Sequence, residues 1–331
     1  MILRFRTLFT AISLVAVLAS GAQAGPIRDL LKNLREERKG GATTATDAEL
    51  RPITVSFQGT NRTFFVYVPQ SVAGRSNVPA VVVFHGGGGD ISGLAAASEM
   101  TIAADAFGFV AIFPSVVSGQ WNDGRSGTAS GYDDVGFVRA IVGNSSSLFG
   151  VDLGRIFAAG ISNGGMFTQR LSCDAADLIS AAAIVSANMP ADYQSQCRPS
   201  QSVPKVFFNG TSDPIMPWSG GEVKSLAALG LGAGGQVLSH DQTKDFWLAM
   251  DGCNNSASTR NRPDVSNDGT TVTQSTYASC RGSSQLEFFD IKGGGHSWPG
   301  SSVRARRVAG KVSQDISATA EMIAFFQKYG L

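Results

Sequence analysis

The chain has 331 residues, with 27 Lys or Arg against 26 Asp or Glu, 43% hydrophobic and 16% charged. That length admits one large α/β domain or two small ones, with enough apolar residues for a sizeable core. The near-neutral balance and the lack of a basic stripe argue against a nucleic-acid partner.

In chain order, the first segment reads as a leader. A basic start, "MILRFR", precedes the apolar "TLFTAISLVAVLAS" and the small-x-small triplet Ala22-Gln23-Ala24. This is the pattern of a secretory signal peptide over residues 1–24, and its apolar core is short for a membrane span. Without it, 25 basic residues face 26 acidic ones, a net charge of about −1. No later stretch is long and apolar enough to cross a bilayer, so the expectation is a secreted, soluble monomer, extracellular or periplasmic, with no membrane association after cleavage. Residues 25–50 begin with "GPIRDLLKNLREERKGG" and read as a charged surface helix and a polar tether outside the main domain.

From residue 51 the periodicity changes. "ITVSFQ" and "TFFVYVP" alternate as an antiparallel pair at a sheet edge does. "VPAVVVF" is continuously apolar, as in a strand covered on both faces, and runs into "HGGGG". Helical "ASEMTIAADAFG", strand "FVAIFPS", helical "DDVGFVRAIVGNSSSLFG" and strand "RIFAAGIS" follow. Next come helical "NGGMFTQRLSC", strands "AAAIVSA" and "VPKVFFNG", and helical "DQTKDFWLAMDGC". A polar surface excursion over residues 254–269 leads to strands "TVTQSTYA" and "LEFFDI", and "SQDISATAEMIAFFQKYGL" closes as an amphipathic helix. Alternating strands and helices predict one α/β domain over 51–331, a mostly parallel, doubly wound sheet with an antiparallel edge.

Within that sheet, "GISNGG" puts Ser162 where a buried strand turns into a helix. Ligands bind at the carboxyl edge of parallel strands, and glycines flanking a serine there permit the tight turn of an activated nucleophile. The backbone N–H of Asn163 then stands at a helix N-terminus, where developing negative charge is favoured. A second N–H donor is expected from "HGGGG", with Gly87 the first choice and Gly88 the next. Of three histidines, His296 follows a late strand in "GGGHSWPG" and is the expected base. His85 is expected to brace its glycine loop, and His240 to lie on the surface. Asp213, in "TSDPIMPW" after a strand, is the expected acid, whereas Asp133 and Asp134 read as charges at a helix start. The order Ser162, Asp213, His296 is that of the α/β-hydrolases. Trp121, Trp218 and Trp298 are expected in loops near the site as substrate-binding residues. This chemistry needs no cofactor and no metal, and no C-x-x-C or H-x-x-x-H spacing occurs. Four cysteines in an exported chain suggest two disulfides, with three pairings open; sequence-local closure favours Cys173 with Cys197 and Cys253 with Cys280.

"VVVFHGGGGD", "YDDVGFVRAIV", "GISNGGMFTQRLSCD", "FNGTSDPIMPWSGG" and "GGGHSWPG" together resemble the secreted polyhydroxybutyrate-depolymerase-type esterases, a family that includes feruloyl and acetylxylan esterases. The resemblance runs in order over most of residues 51 to 329. It implies an α/β-hydrolase fold, Ser162 as nucleophile, Asp213 as acid and His296 as base, and the same cysteine pairs. The implied partner is an ester substrate: a polyhydroxybutyrate-type polyester or oligomer first, a feruloyl or acetyl ester of wall polysaccharide as the alternative. A serine peptidase of the same fold is a further class. A polymer-binding protein without catalysis is the last, and would lack a triad member.

Overall fold

A computed structural model describes residues 23–40, 50–128, 130–224, 234–303 and 307–331. The expected leader up to residue 22, and the tether over 41–49, lie outside the described residues.

Ten strands form one sheet in the order β1-β2-β4-β3-β5-β6-β7-β12-β11-β10. They are β1 (Arg51–Phe57), β2 (Thr60–Tyr67), β3 (Val78–Phe84), β4 (Val110–Pro114), β5 (Val151–Ile161), β6 (Ala181–Val185), β7 (Lys205–Gly210), β10 (Ser258–Asn261), β11 (Thr271–Tyr277) and β12 (Leu286–Lys292). β8 (Gly221–Glu222) and β9 (Gln236–Val237) pair separately. The six central strands from β4 to β12 are parallel. The antiparallel edge expected at β1 and β2 is present, and a second antiparallel flank, β11 and β10, closes the other side. The polar excursion therefore contains a short exposed strand, β10.

The eight α-helices of the described residues are α1 (Ala24–Gly40), α2 (Ile91–Ser98), α3 (Met100–Phe107), α4 (Asp134–Phe149), α5 (Asn163–Asp174), α6 (Ala191–Gln194), α7 (His240–Met250) and α8 (Ala318–Gln327). The one helix expected near residue 100 is two, because Glu99 takes a left-handed φ of 50° between α2 and α3.

The central strands read as unbroken apolar runs because both faces are covered. Ala80, Val82 and Phe84 of β3 join a core with Phe137 and Ile141 of α4, Phe167 of α5 and Trp247 of α7. Val81 and Val83 point the other way, into a core with Leu94 of α2, Ala103 of α3 and Phe325 of α8. Period-two alternation thus feeds two cores from one strand.

Helix α1 departs from the expectation of a surface element outside the main domain. Ile27 and Leu31, one turn apart, are buried in the second core. Arg28 donates to the carbonyls of Asp315 at 2.7 Å and Gln314 at 2.9 Å. Arg35 pairs with Glu99 at 2.8 Å and Arg38 with Asp105. Three of the charges that suggest a solvated helix, Arg28, Arg35 and Arg38, are clamps that dock it.

His240 is likewise not on the surface. It is buried in the first turn of α7, stacked on Trp218 with ring centres 4.0 Å apart, and its Nε2 lies 2.9 Å from Asp290 Oδ1. Both disulfides form, Cys173–Cys197 and Cys253–Cys280. The first ties α5 to the segment after α6. Among the described residues no helix is long and apolar enough to cross a membrane.

Candidate active site

Strand order reverses around β3, which has β4 on one side and β5 on the other. Crevices at such switch points collect ligands. Two loops leave the sheet there: residues 85–89 after β3, and the turn at Ser162 after β5.

Ser162 has φ 57° and ψ −123°, a conformation rare for any residue with a side chain. Its hydroxyl makes no capping bond to α5, although Ser162 occupies the cap position; the usual use of a serine at a helix start is not the one made here. Its N–H donates to Val185 O at 2.9 Å, and its carbonyl accepts from Met166 N at 2.9 Å. Close approach explains two of the glycines. A Cβ on Gly160 would lie 2.3 Å from Gly164 O, and one on Gly164 would lie 2.3 Å from Phe84 O. The first turn of α5 is pressed against the ends of both β5 and β3.

A cavity of about 180 Å³ opens at this point. Ser162 and His296 line it together with Gly86, Gly87 and Asn163, and Met166, Ile215, Val223 and Arg125 complete much of the wall. Thus the two expected N–H donors, the serine and the histidine share one space. Neighbouring parallel strands bring the expected acid and the expected base together, Asp213 after β7 and His296 after β12. His296 Nδ1 lies 2.7 Å from Asp213 Oδ2. The other carboxylate oxygen accepts from the N–H groups of Ile215 at 2.8 Å and Met216 at 2.7 Å. A carboxylate fixed on both oxygens sets the imidazole's orientation, and Nδ1 carries the proton because the carboxylate can only accept.

His85 braces the glycine loop. Its Nδ1 lies 2.7 Å from Gly86 O, so it must be the protonated ring nitrogen, and burial pushes its pKa below the usual histidine value. Its carbonyl accepts from Trp121 Nε1 at 3.1 Å.

Trp121 and Trp298 are a correction. Trp121 has no exposed surface; it packs between Phe84, at 5.2 Å, and Phe167, at 5.0 Å, as part of the core. Trp298 is buried and donates through Nε1 to Thr319 Oγ1 at 3.0 Å. Trp218 is half-buried over His240. None of the three is among the residues lining the cavity. An indole in a loop hides large apolar area whenever the loop folds inward, and a loop of polar residues does not reveal that.

Of the helix-start acids, Asp133 caps α4 by accepting from Gly136 N at 2.7 Å. Asp134 is different: buried, it pairs with Arg62 at 2.7 Å and accepts from Asn122 N at 2.8 Å. Sequence reasoning passed over Asp123 and Arg125 as well. Their signal was "WNDGRSG", a carboxylate and a guanidinium two residues apart in a glycine-bearing loop.

No protein-family model matches the chain. A protein named as an esterase, NocK of Nocardia uniformis subsp. tsuyamanensis, is 26% identical over 87% of this chain and 85% of that protein. Feruloyl esterase B of Piromyces equi is 27% identical over 71% of this chain, which is 42% of the relative. Feruloyl esterase B of Thermothelomyces thermophilus is 30% identical over 44% of this chain and 51% of its own length. The chain therefore spans about half, or less, of these two feruloyl esterases. Among solved structures, an acetyl xylan esterase from Aspergillus awamori superposes with a TM-score of 0.54 at 17% identity, over 75% of this chain and 94% of that one. That likeness shows the fold.

Proposed function

For a chain with the α/β-hydrolase fold and esterases among its sequence relatives, we propose a serine carboxylesterase acting through an acyl-enzyme. One observation carries the reading. A serine on a strained strand-to-helix turn shares a small cavity with a histidine whose far nitrogen is held at 2.7 Å by a buried carboxylate.

Ser162 Oγ attacks the ester carbonyl while His296, through its other ring nitrogen, takes the proton. The imidazolium is stabilised by Asp213 and returns the proton to the leaving alkoxide. The backbone N–H groups of Asn163 and Gly87 receive the developing oxyanion. Water then repeats the sequence to free the acid. The two disulfides fit an exported chain.

The cavity supports a small acyl group, since drug-sized ligands occupy clefts of about 300 Å³ upward. An acetyl or short hydroxyacyl ester fits that size better than a bulky aromatic acyl group seated wholly inside. The relatives' names speak for feruloyl and acetylxylan esters, so an acetylated wall polysaccharide meets both arguments. Polyhydroxybutyrate-type oligomers are the second reading, with an acyl unit of similar bulk.

The test is a panel of p-nitrophenyl acetate and butyrate, acetylated xylan, methyl ferulate and polyhydroxybutyrate film. Acetyl esters should turn over fastest, and Asp213→Asn should lose up to about 10⁴-fold in kcat by favouring the wrong tautomer. No turnover of any ester by the folded protein refutes the reading.

A further inference from the structure

Asp123, fully buried, has no part in the chemistry above, yet two cavity-lining side chains, Asn163 and Arg125, converge on it. Its Oδ2 accepts from Asn163 Nδ2 at 2.7 Å and from Arg125 Nη2 at 2.7 Å. Its Oδ1 accepts from Thr128 Oγ1 at 2.7 Å and from the Arg125 N–H at 3.0 Å. Arg125 Nε lies within 3.1 Å of both oxygens.

The Asn163 side chain is pinned equally firmly from its other side. Its Oδ1 accepts from Trp121 N at 2.8 Å, and its Nδ2 also donates to Trp121 O at 3.0 Å. A carboxylate cannot donate and a peptide N–H cannot accept, so only one orientation of this amide satisfies all three contacts. Arg125 in turn donates through Nη1 to Gly234 O at 2.8 Å, and the next residue, Gly235, accepts from Val223 N at 2.9 Å. Asn163, Arg125 and Val223 all line the cavity.

We propose that Asp123 is a positioning residue of the esterase site. By gripping the Asn163 side chain it holds the Asn163 backbone N–H on the oxyanion, and through Arg125 it sets the part of the acyl-cavity wall that Arg125 and Val223 form. The proposal rests on the esterase reading. A donor one residue beyond the nucleophile sits on a turn that is itself strained, so its direction depends on what restrains it. A side-chain amide locked between a carboxylate and a peptide supplies that restraint, and the buried Arg125 cation neutralises the carboxylate that makes it possible.

The experiment compares wild type, Asp123→Asn, Asn163→Ala and the double variant. Each is followed by kcat and KM on p-nitrophenyl acetate, by the rate at which a neutral organophosphate labels Ser162, and by melting temperature. Losing an oxyanion donor outright costs about 10²–10³ in kcat, so loosening one should cost roughly 10- to 100-fold, with KM moving only a few-fold. Labelling should slow in parallel, because phosphorylation uses the same hole. If Asp123 acts through Asn163, the double variant loses little more than the worse single variant.

Turnover and labelling within twofold of wild type in folded Asp123→Asn overturn the proposal, as do single-variant losses that multiply in the double. Should Asp123→Asn fail to fold, Asn163→Ala decides alone, since it leaves the Asp123–Arg125 pair intact: kcat within twofold of wild type overturns it. A wild type that neither hydrolyses esters nor takes the label refutes the esterase reading and this proposal with it, an outcome separate from normal wild-type turnover with indifferent variants.

Discussion

At the scale of single residues, Ser162 is held where its backbone would not rest by itself. A non-glycine residue in such a region costs of the order of 1–3 kcal/mol, supplied by the packing around it. Ser162→Ala keeps the Cβ and the strain but removes the proposed nucleophile, so kcat should fall by about three orders of magnitude with little change in melting temperature. Ser162→Gly loses the same turnover but relieves the strain, and should melt higher than Ser162→Ala. Equal melting temperatures for the two variants would show that the turn stores no such energy. His85 makes a second residue-scale prediction. Burial lowers its folded pKa below the ordinary histidine value of about 6.5, so between the two values the unfolded chain binds the extra proton. Its contribution to stability is full above about pH 6.5 and is lost as pH falls toward the folded pKa. His85→Gln should flatten the drop in melting temperature between pH 7 and pH 5; an unchanged slope would refute this.

At the scale of elements, the start of α4 separates two aspartates that look alike in sequence. Asp133 is an exposed cap, and Asp133→Ala should cost about 1 kcal/mol. Removing Asp134 strands the Arg62 guanidinium in the core over the Phe137 ring, so Asp134→Ala should cost about 3–5 kcal/mol. Denaturant melts of both variants check this; equal losses would refute the distinction. The difference explains what the sequence did and did not reveal. The capping role is local, three residues from cap to donor, and is therefore readable. The Arg62 pairing joins β2 to α4, and no local pattern announces it. The same division holds across the candidate site. The grouping of Ser162, Asp213 and His296 at one sheet edge was readable because each follows an apolar strand, two of them at glycine-rich junctions, where parallel-sheet topology gives the neighbours. Asp123 and Arg125 were missed because a buried pair in a loop reads as a solvated turn. Trp121 was misplaced for the same reason.

At the scale of the whole molecule, α1 shows how a partner far along the chain changes the meaning of a segment. Its sequence contains the stripe Ile27, Leu31, Leu34, one face of a helix, among basic and acidic residues. Periodicity reveals the stripe but not what covers it: α3 and α8 come later in the chain, and their contribution is visible only once the sheet has brought them to one face. Burying Ile27 and Leu31 stabilises by roughly 1.5–3 kcal/mol each, offset in part by ordering the helix. The Arg28 bonds to the Gln314 and Asp315 carbonyls fix its position against the segment leading into α8. A chain beginning at residue 50 should therefore melt several degrees below one beginning at residue 25, at roughly 3 °C per kcal/mol or less for a domain of this size. Turnover should stay within about twofold, because the cavity is lined from the carboxyl ends of β3 and β5 and from later loops, not from α1. Ile27→Asp in the longer chain puts a charge into the same core and should reproduce most of the loss without shortening anything. If both variants melt with the longer wild-type chain, α1 rests on the domain without stabilising it; if the truncation abolishes turnover in a folded protein, the helix supports the site through the second core in a way the lining residues do not show.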